Sequence, residues 1–366
     1  MTRRLPKRVL MTADCVGGVW TYAMELAAGL VERDVSVVLF VSGDALPPHK
    51  MLEAGRLDNL TLVRSELKLE WMEGCEADIA ETDAILRDLE AEVRPDIVHV
   101  NGYANAAAGF SAPVVAVAHS CVETWWRACR GEPAPADWDG YRARVARGLA
   151  AASAVVAPTR AHADALRQAH GTRSDVHVIH NGRDPAGFAP AAKAPRVLAA
   201  GRLWDEAKNM RVLADVARAG VPIALAGDAR DRPAEAEGLS WLGALEPADL
   251  ERHMAQSAVF VAPALYEPFG LAVLEAALCE CALVVGDIPT MRELWDGAAT
   301  FVDPRDPDAI AAALRRHLAD PDHARAAGRA ARQRALRYSR RAMAERYLDL
   351  YAGLMAAAGP LRVAAE

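Results

Sequence analysis

The stretch EPFGLAVLE, Glu267–Glu275, decides how the second half of this chain folds. It follows the apolar run Val259–Ala262, which is typical of a buried strand, and Pro268 and Gly270 indicate a tight turn into a helix. A strand, a turn and a helix in this order form the repeating unit of a parallel α/β sheet. The free N–H groups and the positive dipole end of such a helix suit a bound diphosphate.

The two glutamates of this stretch point to a ligand with two sets of hydroxyls. Glu267 and Glu275 lie at most about 12 Å apart along a helix, the distance between the two ends of a sugar diphosphate. Carboxylates accept hydrogen bonds from hydroxyls, so each could hold one sugar ring. Two solvated surface acids are the alternative, and the strand, turn and helix context favours binding.

A second motif, GRLWDEAKN, Gly201–Asn209, also follows a strand-like run and precedes a helical one. Arg202 and Lys208 would supply two cations suited to diphosphate oxygens. The alternative is a solvated charged loop in which Asp205 and Glu206 pair with both cations.

The pattern around these motifs alternates strands and helices, which predicts α/β architecture. Strand-like runs lie at Arg8–Thr12, Val35–Val41, Ile97–Val100, Val114–Ala118, Ala154–Ala157, Arg196–Ala200, Pro222–Ala226, Val259–Ala262 and Leu283–Val285. Helical spacing occurs at Tyr22–Glu32, Ile79–Val93, Tyr141–Ala152, Asn209–Ala219, Ala248–Gln256, Gly270–Cys279, Asp308–Leu318 and Asp322–Ala358, the last with a break at Tyr338-Ser339.

The alternation stops at Asn181–Pro195, a Pro-, Gly- and Ala-rich stretch typical of a linker. We therefore expect two Rossmann-like, doubly wound domains facing across a cleft. The expected boundaries are residues 1–183, a linker at 184–195, a second domain at 196–338, and a terminal helix at 339–366.

Composition narrows the class of protein. The 366 residues are 52% hydrophobic and 25% charged, with a net charge of −7, which is typical of a globular protein and argues against a nucleic-acid binder. The basic start MTRRLPKRVL leads into a strand-like run, so we do not interpret it as a signal peptide. The six cysteines show no zinc spacing, and we expect reduced, mostly packed thiols in a cytoplasmic protein.

In the first half, ADCVGGVW, Ala13–Trp20, leaves the first strand. Gly17 and Gly18 would let a ligand approach the backbone at a helix start, although a plain tight turn is the alternative. This is not the dinucleotide fingerprint, since the required third glycine is missing. Asp14 could contact an acceptor hydroxyl or cap the turn.

His119 follows the strand-like run Val114–Ala118, at the end of a strand where ligands bind in parallel sheets. A structural histidine is the alternative. Trp125 and Trp126 come next and could form a binding platform or belong to the core. We favour the core for Trp126 and leave Trp125 open.

These motifs together resemble glycosyltransferase family 4, whose members are retaining enzymes of GT-B architecture. The resemblance covers most of the chain and adds further stretches to those above: VAHS (Val117–Ser120), VIHNGRD (Val178–Asp184), DIPTMREL (Asp287–Leu294), AATFVDPRDP (Ala298–Pro307) and RYSRRAMAERYLDLY (Arg337–Tyr351).

The resemblance implies that the second domain binds a nucleotide-activated sugar. Glu267 would bind the transferred sugar, Glu275 the ribose, and Arg202 and Lys208 the diphosphate. The cations would be assisted by the backbone N–H groups at the helix start, those of Phe269, Gly270 and Leu271. A further segment would lie against the base, namely Leu242, Gly243, Ala244 and Leu245. The terminal helix would cross back to the first domain.

In the first domain, the resemblance places Gly17 and Gly18 at the diphosphate, His119 near the sugar and Asp14 near the acceptor. Two tryptophans, Trp20 and Trp125, are further candidates on the acceptor side. Trp20, Trp71 and Trp125 could also dock on a lipid-linked acceptor, so we keep peripheral contact with the inner face of the membrane as an option.

The implied reaction needs no metal and no cofactor besides the co-substrate, a UDP-, GDP- or ADP-sugar. The acceptor is a glycan, a lipid-linked sugar or a small molecule; no acceptor class matches Leu46–Glu76 or Glu123–Trp138. One departure from the family concerns Glu280 and Ala282, where members often carry Gly and Pro. It affects a turn and no contact residue.

Two rival interpretations remain open, and a third is set aside. Asp137-Trp138-Asp139 has the spelling of a metal-binding Asp-x-Asp motif, but it lies in a Pro- and Ala-rich stretch and we treat it as chance. A nucleotide-sugar epimerase of the same architecture would convert the donor without an acceptor. A non-catalytic sugar-nucleotide-binding protein would bind the donor and leave it unchanged.

Overall fold

The computed structural model describes residues 4–15, 17–171, 175–228 and 236–358. Its first sheet has seven parallel strands in the order β3-β2-β1-β4-β5-β6-β7. The strands are β1 (Arg8–Asp14), β2 (Ser36–Ser42), β3 (Leu60–Arg64), β4 (Ile97–Val100), β5 (Val114–Val117), β6 (Ala154–Ala157) and β7 (Val176–Val178). Their near-continuous apolar sequences suit a sheet covered on both faces.

The helices that alternate with this sheet are α1 (Gly18–Val31), α2 (Pro48–Ala54), α3 (Glu76–Val93), α4 (Val122–Arg130), α5 (Asp139–Ala151) and α6 (Arg160–His170). α1 buries Leu26 and Leu30 completely against the sheet. α3 turns a more polar surface outward and buries Leu86.

The second sheet has six parallel strands in the order β10-β9-β8-β11-β12-β13. Its strands are β8 (Ala194–Ala200), β9 (Ile223–Ala226), β10 (Leu239–Gly243), β11 (Ser257–Ala262), β12 (Ala282–Gly286) and β13 (Thr300–Val302). The remaining helices are α7 (Val212–Arg218), α8 (Pro247–Gln256), α9 (Leu271–Leu278), α10 (Pro289–Trp295), α11 (Pro307–Ala319), α12 (Pro321–Ala335) and α13 (Arg340–Ala358).

The chain divides into two compact units by its internal contacts. The first unit comprises residues 1–124, 133–182 and 340–366, and the second comprises 125–132 and 183–339. The sequence-based boundaries assigned 125–132, which begins within α4 and ends two residues beyond it, to the first domain. The structure groups this segment with the second unit.

The last helix belongs to the first unit, as the family resemblance implied. α13 buries Met343, Tyr347 and Tyr351 in the same core as α1. The two helices approach closely at Gly29, where an added Cβ would lie 2.7 Å from Ala344 Cβ. Arg340 Nε donates to the buried Glu25 at 2.6 Å.

The predicted α/β architecture is confirmed: the chain has two units, each built on a parallel sheet, and the C-terminal helix belongs to the first one. Every predicted strand and helix is present with modest shifts at its ends. The interpretation missed short or partly polar elements, namely β3, β7, β10, β13, α2, α4, α6 and α10.

No disulfide joins any of the six cysteines, which all lie within the described residues; Cys15 is half-buried and the others are buried. Within the described part of the chain, no helix is both long and apolar enough to cross a bilayer.

Candidate functional site

The strand order of the second sheet reverses between β8 and β11, its first and fourth strands. Ligands of open parallel sheets bind beyond the carboxyl ends of the strands at such a reversal. The loop after β8 is GRLWDEAKN, and the loop after β11 leads into EPFGLAVLE. The two motifs therefore meet at the place where this type of sheet binds ligands.

Backbone hydrogen bonds dock these two loops on each other. The Leu265 N–H donates to the Ala207 carbonyl at 2.8 Å. Asn209 Nδ2 donates to the carbonyls of Pro263 at 3.0 Å and Pro304 at 2.6 Å. Asn209 has φ of 53°, a left-handed conformation that asparagine tolerates better than most residues. Asn209 thus ties three loops of this edge together.

Lys208 and Glu267 form an ion pair across these loops, between Lys208 Nζ and Glu267 Oε2. Both side chains are about one-fifth exposed (20% and 18%), so each keeps access to a ligand. Thr290 Oγ1, at the start of α10, donates to the Glu267 carbonyl at 2.6 Å. This edge thus holds a cation and a carboxylate side by side in a fixed backbone.

The turn into α9 depends on Gly270, which precedes the first helical residue, Leu271. Gly270 has φ of 87°, and a Cβ there would lie 3.3 Å from both Glu267 Cγ and Met291 Cε. Glycine adopts this conformation without the usual strain. The N–H groups at the start of α9 have no partner in the preceding turn of the helix, so they are suited to an anion.

Glu275 lies about one turn beyond Leu271 on α9. It pairs with an arginine that the sequence analysis did not single out. Arg183 Nε lies 3.0 Å from Glu275 Oε1, with side-chain exposures of 19% and 15%. The Arg183 guanidinium also lies over the Phe188 ring, 5.1 Å from its centroid. The motif VIHNGRD, quoted above for its family resemblance, was the available signal for this residue.

Arg202 is engaged by its own loop. Its Nη2 donates to Asp205 Oδ2 at 2.6 Å, and its guanidinium lies 5.2 Å from the Trp204 ring centroid. Burial opposes ionisation of Asp205, but the hydrogen bond and charge of Arg202 outweigh it and the pKa of Asp205 is lowered. The alternative interpretation of this loop had Asp205 and Glu206 pairing with both of its cations. Only the Arg202–Asp205 ion pair is observed, because Glu206 pairs with Arg130 at 2.8 Å.

The segment expected at the base is the end of β10. The Gly227 N–H donates to the Gly243 carbonyl at 2.9 Å, and Gly243 has φ of 75°. Leu242 and Leu245 pack at the edge of the core that contains α9, and Ala244 lies between them. The turn Leu242–Leu245 therefore lies at the carboxyl end of β10 and offers an apolar surface there.

The first sheet has its own reversal of strand order, between β1 and β4. Asp14 ends β1, and Gly17, with φ of 72°, precedes the first residue of α1, Gly18. His119 follows β5 at the same edge. The sequence-predicted residues of this unit therefore gather at the carboxyl ends of their strands.

His119 is half-buried and neutral. Burial lowers the pKa of His119 to about 3, with smaller contributions from His99 and His162. Its Nε2 lies 2.8 Å from Asn101 Oδ1, and the Tyr22 ring stands edge-on, 4.3 Å between centroids. A neutral imidazole in this position can donate or accept a hydrogen bond, but it does not supply a positive charge at neutral pH.

The tryptophan predictions need correction. Trp20 is wrong both as an acceptor-side residue and as a lipid-docking residue, because its side chain is 2% exposed and its Nε1 donates to Glu53 at 2.7 Å. Trp126 is half-buried, with the Arg130 guanidinium 6.0 Å from its ring centroid, so it is not a core residue. Trp125, also half-buried, has its Nε1 3.4 Å from Asp205 Oδ1. Trp71 is 38% exposed.

The residues described here hold no cluster of three or more histidine, cysteine or acidic side chains that could ligate a metal ion. Asp139 of the Asp-x-Asp spelling pairs with Arg142, three residues along α5.

Comparison with known families gives the class of this fold and site. The family model described as Glycosyltransferase Family 4 matches residues 16–186, and the model described as Glycosyl transferases group 1 matches residues 194–320. Residues 16–186 are thus similar to glycosyltransferase family 4, and residues 194–320, which hold Gly201–Asn209 and Glu267–Glu275, are similar to the glycosyl transferases of group 1.

The alpha-maltose-1-phosphate synthase of Mycolicibacterium smegmatis is 30% identical over 217 residues, which is 48% of this chain and 56% of that protein. The chain thus matches about half the length of this curated relative.

Two solved structures share the fold. The sucrose-phosphate synthase of Thermosynechococcus elongatus aligns over 96% of this chain and all of its own, with a TM-score of 0.78 at 18% identity. The HepE protein of Anabaena, solved with UDP-glucose, aligns over 94% of this chain and 99% of its own, with a TM-score of 0.74 at 18% identity.

Proposed function

We propose that this chain transfers a glycosyl group from a nucleotide-diphosphate sugar to an acceptor hydroxyl, with retention of configuration and without a metal ion. The observation that carries the proposal is the Lys208–Glu267 pair at the strand-order reversal of the second sheet. It places a cation suited to phosphate beside a carboxylate suited to sugar hydroxyls.

The donor occupies the carboxyl edge of the second sheet in this proposal. Glu267 accepts hydrogen bonds from the transferred sugar, and Glu275 accepts them from the ribose. Lys208 and Arg202 bind the diphosphate together with the N–H groups of Phe269, Gly270 and Leu271, and the turn from Leu242 to Leu245 lies against the base. Arg202 would exchange its bond to Asp205 for one to phosphate.

The proposed reaction breaks the bond between the anomeric carbon and the phosphate oxygen. Positive charge develops on the sugar while negative charge grows on the departing diphosphate, which Lys208, Arg202 and the start of α9 stabilise. The acceptor oxygen attacks from the face that the phosphate leaves, and its proton passes to the leaving phosphate oxygen. The new glycosidic bond therefore keeps the configuration of the donor.

His119, Asp14, Gly17 and Gly18 supply the contribution of the first unit. In the proposal, His119 forms a hydrogen bond with a substrate hydroxyl and Asp14 faces the acceptor, which is a sugar, a lipid-linked sugar or a small molecule. Since the HepE structure holds UDP-glucose, this donor is a sensible first candidate for this chain as well.

A thermal-shift screen of UDP-, GDP- and ADP-sugars tests donor binding, because a ligand of the folded state raises the melting temperature by mass action. The stabilising donor is then incubated with and without a panel of sugar acceptors. NMR of the product should show the anomeric configuration of the donor, and activity should survive EDTA. Stabilisation by none of the nucleotide sugars would refute the proposal, and conversion of the donor without acceptor would indicate an epimerase.

An EDTA-sensitive activity that manganese restores would contradict the metal-free mechanism. It would direct attention to Asp137 and Asp139, the residues of the Asp-x-Asp spelling discussed above.

A further inference from the structure

Asn101 follows β4 at the strand-order reversal of the first sheet, and Thr12 on β1 holds it on two sides. The Asn101 N–H donates to Thr12 Oγ1 at 2.9 Å, and Asn101 Nδ2 donates to the Thr12 carbonyl at 2.6 Å. Since a carbonyl oxygen only accepts hydrogen bonds, the amide nitrogen must face Thr12. The orientation of the Asn101 amide is thereby fixed, and Oδ1 points the other way.

The Asn101 amide oxygen faces two imidazoles. It lies 2.8 Å from His119 Nε2 and 3.3 Å from His99 Nε2. An amide oxygen cannot donate, so the nitrogen facing it in each ring must carry the hydrogen. Both histidines are therefore expected as the Nε2-protonated tautomer when neutral.

His99 is held in the same tautomer from its other side. Tyr351 Oη, on α13, lies 2.6 Å from His99 Nδ1, where the hydroxyl can donate to the ring lone pair. His99 is fully buried, and burial lowers its pKa to about 3. Tyr22 Oη lies 3.2 Å from the same His99 Nε2 and can accept from it as well. With that role for Tyr22, the hydrogen-bond directions of Tyr351, His99 and Asn101 agree with one another.

We infer that Asn101 is a positioning residue that fixes His119 as its Nε2-protonated tautomer and so presents Nδ1 as a hydrogen-bond acceptor for a substrate hydroxyl. The inference rests on the proposed function for the identity of the ligand. The tautomer itself follows from contacts within the first unit.

The titratable groups around His119 are compatible with a neutral imidazole in a single tautomer. Tyr22 faces it from α1, His99 from β4 and His162 from α6. Burial raises the pKa of Tyr22 well above its usual value and lowers the pKa of His162 to about 4, so both are neutral at pH 7. The amide of Asn101 therefore decides which ring nitrogen holds the proton.

Histidine-selective ¹⁵N labelling and long-range ¹H–¹⁵N NMR of the ligand-free protein test the tautomer directly. The signals of His119 are assigned by their loss in His119→Gln. We expect Nδ1 without a proton in the wild type and a mixture of tautomers in Asn101→Leu. A proton on Nδ1 of His119 in the wild type would overturn the inference.

Asn101→Asp gives a second readout, because a carboxylate in this position raises the pKa of His119 by favouring the imidazolium. At low pH the imidazolium carries a proton on Nδ1 and no longer accepts a hydrogen bond. The kcat/KM of Asn101→Asp should therefore acquire an acid limb between about pH 5 and 8 that the wild type lacks. Asn59→Asp, the same change at an exposed site, is the control and should keep the wild-type profile.

Asn101→Leu should lower kcat/KM roughly tenfold at every pH, the size expected for one lost hydrogen bond to a substrate hydroxyl. If this variant fails to fold, the nearly isosteric Asn101→Asp still decides the matter through its pH profile. A wild-type profile in Asn101→Asp would overturn the positioning role. Because the NMR measurement needs no substrate, failure of the glycosyltransferase proposal is distinguishable from failure of this inference.

Discussion

Arg183 Nε lies 3.0 Å from Glu275 Oε1, so the second glutamate of EPFGLAVLE has a fixed cationic partner from 92 residues earlier in the chain. The Arg183 N–H donates to the Tyr338 carbonyl at 3.1 Å, which anchors the arginine backbone. The ion pair orients a carboxylate that we assign to the ribose of the donor. Donor binding should therefore depend on both partners.

Glu275→Ala should weaken donor binding by roughly 10- to 100-fold, the cost of losing hydrogen bonds to a charged acceptor. Arg183→Leu should cost less, because the glutamate remains. Isothermal titration calorimetry with the donor identified by the thermal-shift screen measures both. Glu92→Ala, an exposed helical glutamate of α3, is the matched control. Unchanged affinity in Glu275→Ala would remove Glu275 from the donor site.

Lys208→Ala should lower turnover more than donor affinity, because the lysine charge acts most strongly on the phosphate as it leaves. We expect kcat to fall about 100-fold, as for loss of one stabilising group of a developing charge. Steady-state kinetics and calorimetry on the same preparation separate the two effects. Equal losses in kcat and affinity, or no loss in either, would argue against this role.

Gly270→Ala should lower the free energy of unfolding by about 1–2 kcal/mol because alanine is strained at a left-handed φ of 87°. It should also weaken donor binding, since the new Cβ presses on Glu267 Cγ. Gly297→Ala is the control: its φ is 74°, and nothing lies within 4 Å of an added Cβ. Urea denaturation should show similar costs in both variants, whereas only Gly270→Ala should lose donor affinity. Unaltered donor affinity in Gly270→Ala would contradict the proposed geometry.

His317 makes stability depend on pH. Its side chain is 2% exposed, and burial, followed by the charges of His323 and Arg316, lowers its pKa to about 4. The folded protein resists protonation of His317 while the unfolded chain accepts a proton near pH 6.5. The contribution of His317 to the free energy of unfolding is therefore complete above about pH 6.5 and is lost as the pH falls towards 4. At pH 5 the loss amounts to about 2 kcal/mol.

His317→Gln should reduce the decrease in the free energy of unfolding between pH 7 and pH 5. His49→Gln, at an exposed position, should leave this decrease unchanged. Urea denaturation at pH 7 and pH 5 checks both variants. If wild type and His317→Gln lost equal stability between the two pH values, His317 would not be the group that titrates.

The sequence predicted the parts of the fold that local patterns determine. Ala154–Ala157 is a continuous apolar run and Ile97–Val100 is apolar except for His99, and the two runs match β6 and β4 residue for residue. β10 was missed because the polar Ser240 interrupts its short apolar run; Ser240 and Trp241 are both exposed in the folded chain. α10 was missed because seven residues are too few to show helical periodicity.

The residue types of the candidate site were predictable, but their partners were not. EPFGLAVLE and GRLWDEAKN are local signals. The Lys208–Glu267 pair, in contrast, joins residues 59 positions apart, which meet only because β8 and β11 are neighbours in the sheet. Asn101 was not singled out because a lone asparagine has no periodic or spacing signature. Arg183 was not singled out because its motif, VIHNGRD, was used only for its family resemblance. The burial of Trp20 likewise depends on tertiary packing, which no local pattern shows.

The placement of α13 has a consequence for how the protein is made. The first unit needs Met343, Tyr347 and Tyr351 to fill the face of α1, yet the ribosome synthesises these residues after the entire second unit. Until then, α1 presents an uncovered apolar surface to chaperones and to other nascent chains. The half of the protein that is translated first is thus the half that completes its core last.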